Sequence, residues 1–522
     1  MDDRLREFGG APGYEFDLPR APGRPSPVVG GGGPPGQAWP REPAGDPAWP
    51  PQPPSEPSWP PHRPALAWQP PWEADSPAGP GRPALLARDT LAAMRARNWL
   101  TRLAVPLLAA IAVGVAGVVV LGGNNGGDSA APSALAAGFP PARSAAADFS
   151  GGGRPVQVAA IAADGATEVA VGSANRGCAL WVSDDGGSTW QPGALPAPAA
   201  GGSAVGQLAG VAHGPSGWLA VGGASAVTTG TAAALSPAVV GSPDGRTWTT
   251  SGSPAAFDGP GRVVTAAVAA DPGGYVIVGQ ESNGSRTVAA AWYAGGLSGW
   301  RRGADAVPGA LDGPGNRAMN AVSATSRGFV AVGAVGQRPA AWVSGTGRTW
   351  TLVTLPPPAG AASAAFDYVA ANGGTVAAVG TEVTAAGQRR PFAAVSTDAG
   401  ATWTQAPLPL PPGGSSAAGS AIAASATALT AAGGGFTATG TYGPPGETDV
   451  VVWTLPAGAA EPAGWTQAAP EGTGLAGPGM QAITALTATG ATLTGVGFTS
   501  TSAATAKSML TEPTIWQSPI RS

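Results

Sequence analysis

The carboxylates of this chain that could do chemistry recur within one repeated phrase, at residues 183–190, 242–248, 344–350 and 396–403. Three of the four copies contain an aspartate, namely Asp185, Asp244 and Asp398. An aspartate could act as a general acid, a nucleophile or a calcium ligand. At a turn, however, a short acid usually accepts hydrogen bonds from N–H groups of the same turn. Calcium needs more oxygens than one carboxylate and its neighbours offer, so we predict a structural role for all three.

Composition restricts the other chemistry. The 522 residues include two histidines and one cysteine, and the formal net charge is −4. Cys178 cannot form an internal disulfide, and we expect it to be a small buried residue. A Ser-His-Asp arrangement finds no support, because His213 is the only histidine after His62. We also predict no metal site, no cofactor and no nucleic-acid partner.

The elements that must position the repeated phrase are predicted to be β-strands. Apolar residues alternate in short segments, and the second segment of each unit ends in an apolar run followed by glycine, as at 168–172, 218–222 and 275–279. Tryptophans at the end of the phrase, or at the equivalent place, recur every 50 to 62 residues. The units start near residues 154, 205, 262, 317, 364, 417 and 480. Four strands in each unit predict an all-β, seven-bladed β-propeller.

The seventh unit reaches only its third strand before the chain ends. We therefore expect residues near 148–154 to supply the missing fourth strand and to close the ring. Closure removes strand edges that would otherwise promote aggregation.

The repeated phrase resembles the Asp-box, or BNR repeat, of sialidase-like propellers, whose pattern is Ser-x-Asp-x-Gly-x-Thr-Trp. Two copies fit throughout, one is a residue shorter, and the copy at 344–350 has Thr346 in place of the acid. The matching residues are Ser183, Asp185, Gly187, Thr189 and Trp190, then Ser396, Asp398, Gly400, Thr402 and Trp403, and in the shorter copy Ser242, Asp244, Gly245, Thr247 and Trp248. The resemblance covers about residues 154–518 and implies a propeller in which these turns are structural.

The same resemblance raises the possibility of a sialidase-like glycoside hydrolase. It implies an arginine trio for a substrate carboxylate, a Tyr–Glu nucleophile pair and an Asp acid. Tyr368, on a predicted first strand beside Asp367, is the one catalytic candidate, and the alternative is that the two residues are an inner-strand packing pair. The segment Gly153-Arg154-Pro155-Val156 lacks the intervening residue of the Arg-x-Pro signature of the family.

A binding surface is expected on the face formed by the loops between strands two and three and between blades. These loops vary most from unit to unit, and a rigid scaffold with variable loops is typical of recognition. The candidate charges on this face are Asp258, Arg262, Asp312, Arg317, Glu382, Arg389, Arg390, Glu447 and Asp449. Each of them has the alternative of being a solvated loop charge.

Four segments precede the propeller, which we assign to residues 153–522. Residues 1–85 are rich in Pro and Gly and repeat a Trp-Pro motif, which predicts a disordered cytoplasmic tail and either a multivalent ligand for a cytoplasmic partner or repeat drift. Residues 86–102 are basic, and 103–122 form an uncharged apolar run long enough for one transmembrane helix. The basic flank predicts a cytoplasmic N-terminus and a propeller outside the membrane. A cleaved signal peptide is the alternative for 103–122, and 123–152 are expected to be a flexible stalk.

The sequence thus predicts a bacterial-type, single-pass membrane protein whose extracytoplasmic propeller binds a glycan or a protein without catalysis. Two alternatives remain open. One is a sialidase-like hydrolase acting on surface glycans, and the other is an assembly factor for a membrane complex.

Overall fold

Alternating apolar residues and glycine-bounded turns fold into seven antiparallel sheets. The computed structural model describes residues 143–144, 149, 156–174, 177–196, 204–228, 231–232, 236–251, 254–411, 423–444, 447–468, 475–490, 492–500 and 511–520. Each sheet is one blade with four main strands, ordered from the inside to the outside of the ring. The predicted all-β, seven-bladed propeller with four-stranded blades is therefore confirmed.

The strands of the first three blades follow one another along the chain. Blade 1 contains β2 (Val156–Asp164), β3 (Thr167–Ala174), β4 (Gly177–Ser183) and β5 (Gln191–Pro192). Blade 2 contains β6 (Ala204–Gly214), β7 (Gly217–Thr228), β9 (Ser236–Ser242) and β10 (Thr249–Thr250), with β8 (Thr231–Ala232) paired to β7. Blade 3 contains β11 (Arg262–Asp271), β12 (Gly274–Ser282), β13 (Thr287–Ala294) and β14 (Arg301–Arg302).

The next three blades repeat this order. Blade 4 contains β16 (Arg317–Thr325), β17 (Gly328–Val335), β18 (Arg338–Ser344) and β19 (Thr349–Thr354), with β15 (Ala304–Asp305) parallel to β19. Blade 5 contains β20 (Ala361–Asn372), β21 (Thr375–Thr384), β22 (Arg389–Ser396) and β23 (Thr404–Pro407). Blade 6 contains β24 (Ala423–Ala432), β25 (Gly435–Gly443), β26 (Asp449–Leu455) and β27 (Thr466–Ala468). Short 3-10 helices lie at Pro254–Ala256 and Pro462–Gly464.

Blade 7 joins the two ends of the propeller. Its strands are β28 (Met480–Thr489), β29 (Thr492–Ser500), β30 (Thr511–Pro519) and, as the outermost strand, β1 (Arg143–Ser144). The ring is closed, because β28 contacts both β24 of blade 6 and β2 of blade 1. Closure by an N-terminal strand was expected, but its predicted position near 148–154 was wrong. The strand lies earlier in the chain, within the segment assigned to the stalk.

Antiparallel strands give the ring two distinct faces. The turns between first and second strands and between third and fourth strands lie on one face, here called the box face. The loops between second and third strands and between blades lie on the other, here called the loop face. The repeated phrases at 183–190, 242–248, 344–350 and 396–403, called box turns below, all fall on the box face.

Separate apolar cores hold neighbouring blades together. Between blades 3 and 4, the fully buried Trp342 and Trp350 pack with Val276, Met319 and Phe329. Burial of an aromatic side chain of this size is among the largest single contributions to a core. Each blade therefore depends on its neighbours for stability.

Cys178 packs beside the core between blades 1 and 2 and is half-buried. Burial raises the pKa of its thiol to about 11. A thiol with so high a pKa is protonated and unreactive at neutral pH.

The segments predicted before the propeller lie outside the described residues, apart from Arg143, Ser144 and Phe149. These segments include the tail 1–85, the basic stretch 86–102 and the predicted transmembrane helix 103–122. None of the helices within the described part of the chain has the length and apolarity needed to cross a membrane.

Candidate functional site

The centre of the ring is built from a bulge that recurs in every inner strand. In each blade, the innermost strand has a β-bulge of one extra residue. The bulge lies opposite the glycine that ends the apolar run of the second strand. A Cβ on Gly333, for example, would lie 2.0 Å from the carbonyl oxygen of Ala318. The equivalent distances at the other six glycines are 1.9 to 2.5 Å, which no real Cβ contact tolerates. The repeated apolar-glycine motif is thus required by the close approach of the two strands.

One extra residue occupies each bulge, on the strand nearest the axis of the ring. In chain order these residues are Ala159, Ala209, Ala266, Asn320, Asp367, Thr427 and Thr484. All seven are partly exposed. Blades 1 to 3 therefore present alanine at this position, and blades 4 to 7 present polar side chains.

Three of the polar bulge residues bridge to the next blade. The side chains of Asn320 and Thr427 donate hydrogen bonds of 2.7 Å and 2.6 Å to the carbonyl oxygens of Phe366 and Ile483. Thr484 donates in the same way to Val158 across the closing interface, at 2.7 Å. These contacts hold inner strands together around the axis and leave fewer polar groups available for a ligand.

The catalytic candidate Tyr368 lies next to the bulge of blade 5. The other six blades have alanine or glycine at this position. Tyr368 packs against the core between blades 5 and 6, and Asp367 beside it accepts a 2.9 Å hydrogen bond from Thr381. Burial and, secondarily, the neighbouring Asp367 carboxylate raise the pKa of Tyr368. Both effects oppose the phenolate that a nucleophile requires.

The box turn of blade 1 uses its aspartate entirely within the turn. Asp185 accepts hydrogen bonds from the hydroxyl of Ser183 at 2.8 Å, from the N–H of Thr189 at 2.8 Å and from the hydroxyl of Thr189 at 2.7 Å. The N–H of Gly187 donates to the Ser183 hydroxyl at 2.8 Å. The indole of Trp190 then donates to the carbonyl of Gly187 at 3.0 Å, which fixes the ring over the turn. Such a carboxylate has few lone pairs left for a substrate or a metal.

The box turn of blade 5 repeats this network. Asp398 accepts from the hydroxyl of Ser396 at 2.7 Å and from the N–H and hydroxyl of Thr402 at 2.8 Å and 2.6 Å. The N–H of Gly400 donates to the Ser396 hydroxyl, and the indole of Trp403 donates to the carbonyl of Gly400, both at 2.8 Å.

The other two box turns show what the acid adds. In blade 2, Asp244 accepts from the hydroxyl of Ser242 at 2.8 Å and from the N–H of Thr247 at 2.9 Å, and the indole of Trp248 donates to the carbonyl of Gly245 at 2.7 Å. In the acid-free turn of blade 4, the serine and tryptophan bonds persist, because Gly347 donates to Ser344 at 2.8 Å and Trp350 donates to Gly347 at 3.0 Å. The aspartate therefore provides a hydrogen-bond acceptor for the backbone N–H groups near the end of the turn.

We expect Asp398→Ala to lower the free energy of unfolding by about 1–3 kcal/mol, because the N–H and hydroxyl of Thr402 lose their acceptor. Burial is the largest single effect and raises the pKa of Asp398, but the hydrogen bonds from Thr402 and Ser396 together outweigh it and lower the pKa to about 2. The stabilisation should therefore be complete above about pH 4 and fade as the pH falls towards 2. Urea unfolding across this pH range measures it. The exposed Asp184, which pairs with Arg246, gives the control Asp184→Ala, expected to cost under about 1 kcal/mol. Equal losses for both variants would contradict the structural role.

The loop face separates the predicted binding residues into buried and exposed groups. Arg317 is buried and donates to the carbonyls of Ala310 at 2.9 Å and Pro314 at 3.3 Å, so it holds a loop of its own blade. Glu382 is also buried. Arg262 and Asp449 are half-buried, and Asp449 accepts from the N–H of Gly477 at 3.0 Å. The exposed members are Asp258, Asp312, Arg389, Arg390 and Glu447.

In three consecutive blades, exposed arginines lie in the hairpin between the second and third strands or at the start of the third strand. They are Arg286 in blade 3, Arg338 in blade 4, and Arg389 and Arg390 in blade 5. We call these four residues the basic sector. Arg286 and Arg338 were missed from the sequence, although aligning the blades on their second-strand glycine would have revealed them. The equivalent hairpin of blade 6 carries the exposed Glu447 instead.

Other acids near the loop face are held by protein groups. Glu281 is buried, lies 2.6 Å from Arg302 and accepts a 3.1 Å hydrogen bond from the N–H of Gly261. Asp305 accepts from the N–H groups of Gly309 at 2.8 Å and Leu311 at 2.7 Å. These carboxylates stabilise loops and are already engaged.

Apolar surface is scarce across the described residues, where Val307 and Leu410 are the exposed large hydrophobic side chains. The described part of the chain also contains no group of three or more His, Cys, Asp and Glu residues that could hold a metal ion. Charge is therefore the distinguishing property of the described loop face.

No family model and no curated protein matches the chain. Among solved structures, it is similar to the intramolecular trans-sialidase from Ruminococcus gnavus, at 12% identity and a TM-score of 0.39, over 72% of this chain and 96% of that one. It is similar to the α-L-arabinofuranosidase Arb93a from Fusarium graminearum at 12% identity and a TM-score of 0.38, over 71% and 96%. It is also similar to YCF48, solved with a bound D1 peptide, at 16% identity and a TM-score of 0.30, over 59% of this chain and 95% of that one. The seven sheets of the closed ring confirm the predicted propeller fold.

Proposed function

We propose that this chain is a non-catalytic recognition propeller whose loop face binds an anionic ligand. The observation that carries the proposal is the basic sector, formed by Arg286, Arg338, Arg389 and Arg390. Guanidinium groups bind carboxylate, sulfate and phosphate through paired, charge-assisted hydrogen bonds. Arg286 donates a 2.6 Å hydrogen bond to the carbonyl of Gly313 and Arg390 a 3.0 Å hydrogen bond to Gln388, and a guanidinium group has further N–H groups that can bind an anion.

The state of the acids supports a role without catalysis. Hydrolysis of a glycosidic bond generally needs two carboxyl groups flanking the bond. Glu281, Asp305 and Asp449 on the loop face are engaged by arginine or backbone N–H groups. Tyr368 packs against the core between blades 5 and 6, and its raised pKa opposes nucleophilic attack. The arrangement is better suited to holding a ligand than to breaking one.

The same proposal places the propeller outside a membrane. It rests on the apolar run 103–122 and on the arginines that precede it, which favour one spanning helix with a cytoplasmic N-terminus. The Trp-Pro repeats of residues 1–85 would then face a cytoplasmic partner. Because β1 follows this region in the chain, the spanning segment and the propeller would be joined through the outermost strand of blade 7.

The triple variant Arg338→Ala, Arg389→Ala, Arg390→Ala is expected to weaken binding to anionic glycans by about tenfold or more, since each charge-assisted contact contributes roughly 1–3 kcal/mol. An array of sialylated, sulfated and neutral glycans, probed with full-length protein at two salt concentrations, measures this. Binding by the unmodified protein should fall with added salt.

Arg327 provides the matched control, because it is exposed on the box face of blade 4. Arg327→Ala should bind as the unmodified protein does. An equal loss in both variants, or retention of binding by the triple variant, would place the ligand elsewhere. If the protein bound none of the glycans but bound an acidic protein segment, the ligand would be a protein and not a glycan.

A further inference from the structure

Blade 1 carries a carboxylate where the other blades carry an apolar side chain. Glu168 lies four residues before Gly172, the glycine opposite the bulge of its blade. The equivalent residues of blades 2 to 7 are Trp218, Tyr275, Phe329, Val376, Phe436 and Leu493, all of them buried. Glu168 is completely buried as well. Burial of a carboxyl group in an apolar position is costly unless its oxygens are satisfied or protonated.

Glu168 is held at the interface between blades 1 and 7, here called the closure seam. Its Oε1 accepts hydrogen bonds from the hydroxyls of Thr489 at 3.0 Å and Thr494 at 3.1 Å, both on blade 7. Its Oε2 is buried and has no hydrogen-bond partner within the described part of the chain. The space beside Oε2 is narrow, since a Cβ on Gly187 would lie 2.7 Å from Oε2 and 2.8 Å from Nε2 of Gln517.

The charges around Glu168 do not compensate an ionised carboxylate. Asp185 faces it from the box turn of blade 1 and carries the same sign. Asp164, at the end of β2, lies 3.4 Å from Nδ1 of His213 in blade 2. On the blade 7 side, β28 and β29 contain no charged residue, and Glu512 of β30 lies at the opposite, loop-face end.

A depression on the box face borders the seam. Asp185, Thr489 and Gln517 line an open depression of about 500 Å³ there. Thr489 also donates to Glu168, so a single side chain links the depression to the buried carboxyl group. Proton exchange with solvent therefore needs only small movements of the seam.

We propose that Glu168 acts as a pH-sensitive latch of the ring, which closes the seam between blades 1 and 7 when protonated and loosens it when ionised. The seam joins blade 1 to β28, β29 and β30, the strands farthest from it in the chain, while the N-terminal β1 pairs with β30 within blade 7. Loosening at this interface separates blade 1 from those strands.

The sign of the pH dependence follows from the environment. Burial raises the pKa of Glu168 most, the Thr489 and Thr494 hydrogen bonds lower it, and Asp185 raises it again, so that the net direction is upward. A folded-state pKa above the unfolded value means that the stabilisation is complete below about pH 4 and is lost as the pH rises through the folded-state pKa. The seam is therefore tighter in acidic than in alkaline surroundings.

Hydrogen exchange of the purified full-length chain, corrected for intrinsic rates and compared at about pH 5 and about pH 8, tests the latch. For peptides from β3, β28 and β29, the equilibrium constant for opening should be larger at the higher pH. The increase should be about tenfold for each unit by which folding raises the pKa of Glu168. Peptides from the interface of blades 3 and 4 should not change. Equal seam protection at the two pH values would overturn the proposal without any variant.

Two substitutions make the test specific. Glu168→Gln should remove the pH dependence and protect the seam at pH 8, and Glu168→Leu, which imitates the other blades, should do the same. Glu281→Gln, at a buried glutamate engaged by Arg302, should leave the pH dependence of the seam intact. Persistence of the pH dependence in either Glu168 variant would assign it to another group and contradict the latch.

Discussion

Gly333→Ala is expected to lower the free energy of unfolding by about 3 kcal/mol or more, a large effect for the addition of one methyl group. The added Cβ would lie 2.0 Å from the carbonyl oxygen of Ala318 and 3.0 Å from its carbonyl carbon. Both atoms belong to backbone, so that relief requires the bulge of β16 to shift away from β17. That shift would disturb the contact of blade 4 with both neighbouring blades.

Gly345 gives a matched comparison in the same blade. It is exposed in the box turn, and a Cβ there would meet its nearest neighbour, the carbonyl oxygen of Arg327, at 3.9 Å. Gly345→Ala should therefore change stability by no more than about 0.5 kcal/mol. Urea unfolding followed by tryptophan fluorescence measures both variants. A small loss for Gly333→Ala would show that the recurrent glycine is not required by the bulge.

Removal of residues before 150 is the second change with a large expected effect. A fragment starting at 150 lacks β1 and also Phe149, which is buried against Trp181 and Trp190 with ring centroids 5.0 Å and 5.4 Å away. Loss of this phenyl ring alone should cost about 3–5 kcal/mol. Loss of β1 additionally leaves β30 as an unpaired edge, which favours aggregation.

Fragments starting at 140 and at 150, compared by urea unfolding and by light scattering, test this account. The longer fragment should unfold at higher urea and remain monodisperse. Phe149→Ala in the longer fragment separates packing from strand pairing, because it should lower stability without promoting aggregation. Identical midpoints for the two fragments would contradict closure of the ring by β1.

The sequence was sufficient for the blades because each one repeats a local pattern. Alternating apolar residues and the glycine after each second strand predict where strands run, and the spaced tryptophans predict how often a blade recurs. The closing strand was misplaced because Arg143–Ser144 is too short to show an alternation. The bulge opposite Gly172 and its equivalents needed the register of two strands, which a single sequence does not contain.

The candidate site was predicted less completely, because burial depends on contacts distant in sequence. Arg317 and Glu382 look like loop charges, but their neighbours in the fold bury them. Glu168 was overlooked for the same reason, since a strand-initial glutamate looks exposed until it is aligned with Trp218 and Tyr275. Alignment of the seven blades on their second-strand glycine is enough to single out Glu168, Arg286 and Arg338 from the sequence.

The central claim, recognition by the loop face without catalysis, is tested most directly by measuring glycan binding and turnover of fluorogenic sialosides and arabinofuranosides on the same preparation. We predict salt-sensitive binding to anionic glycans that requires Arg338, Arg389 and Arg390, with no turnover of either substrate. Turnover that disappears in Tyr368→Phe or Glu382→Gln would contradict it and assign the propeller to the hydrolases.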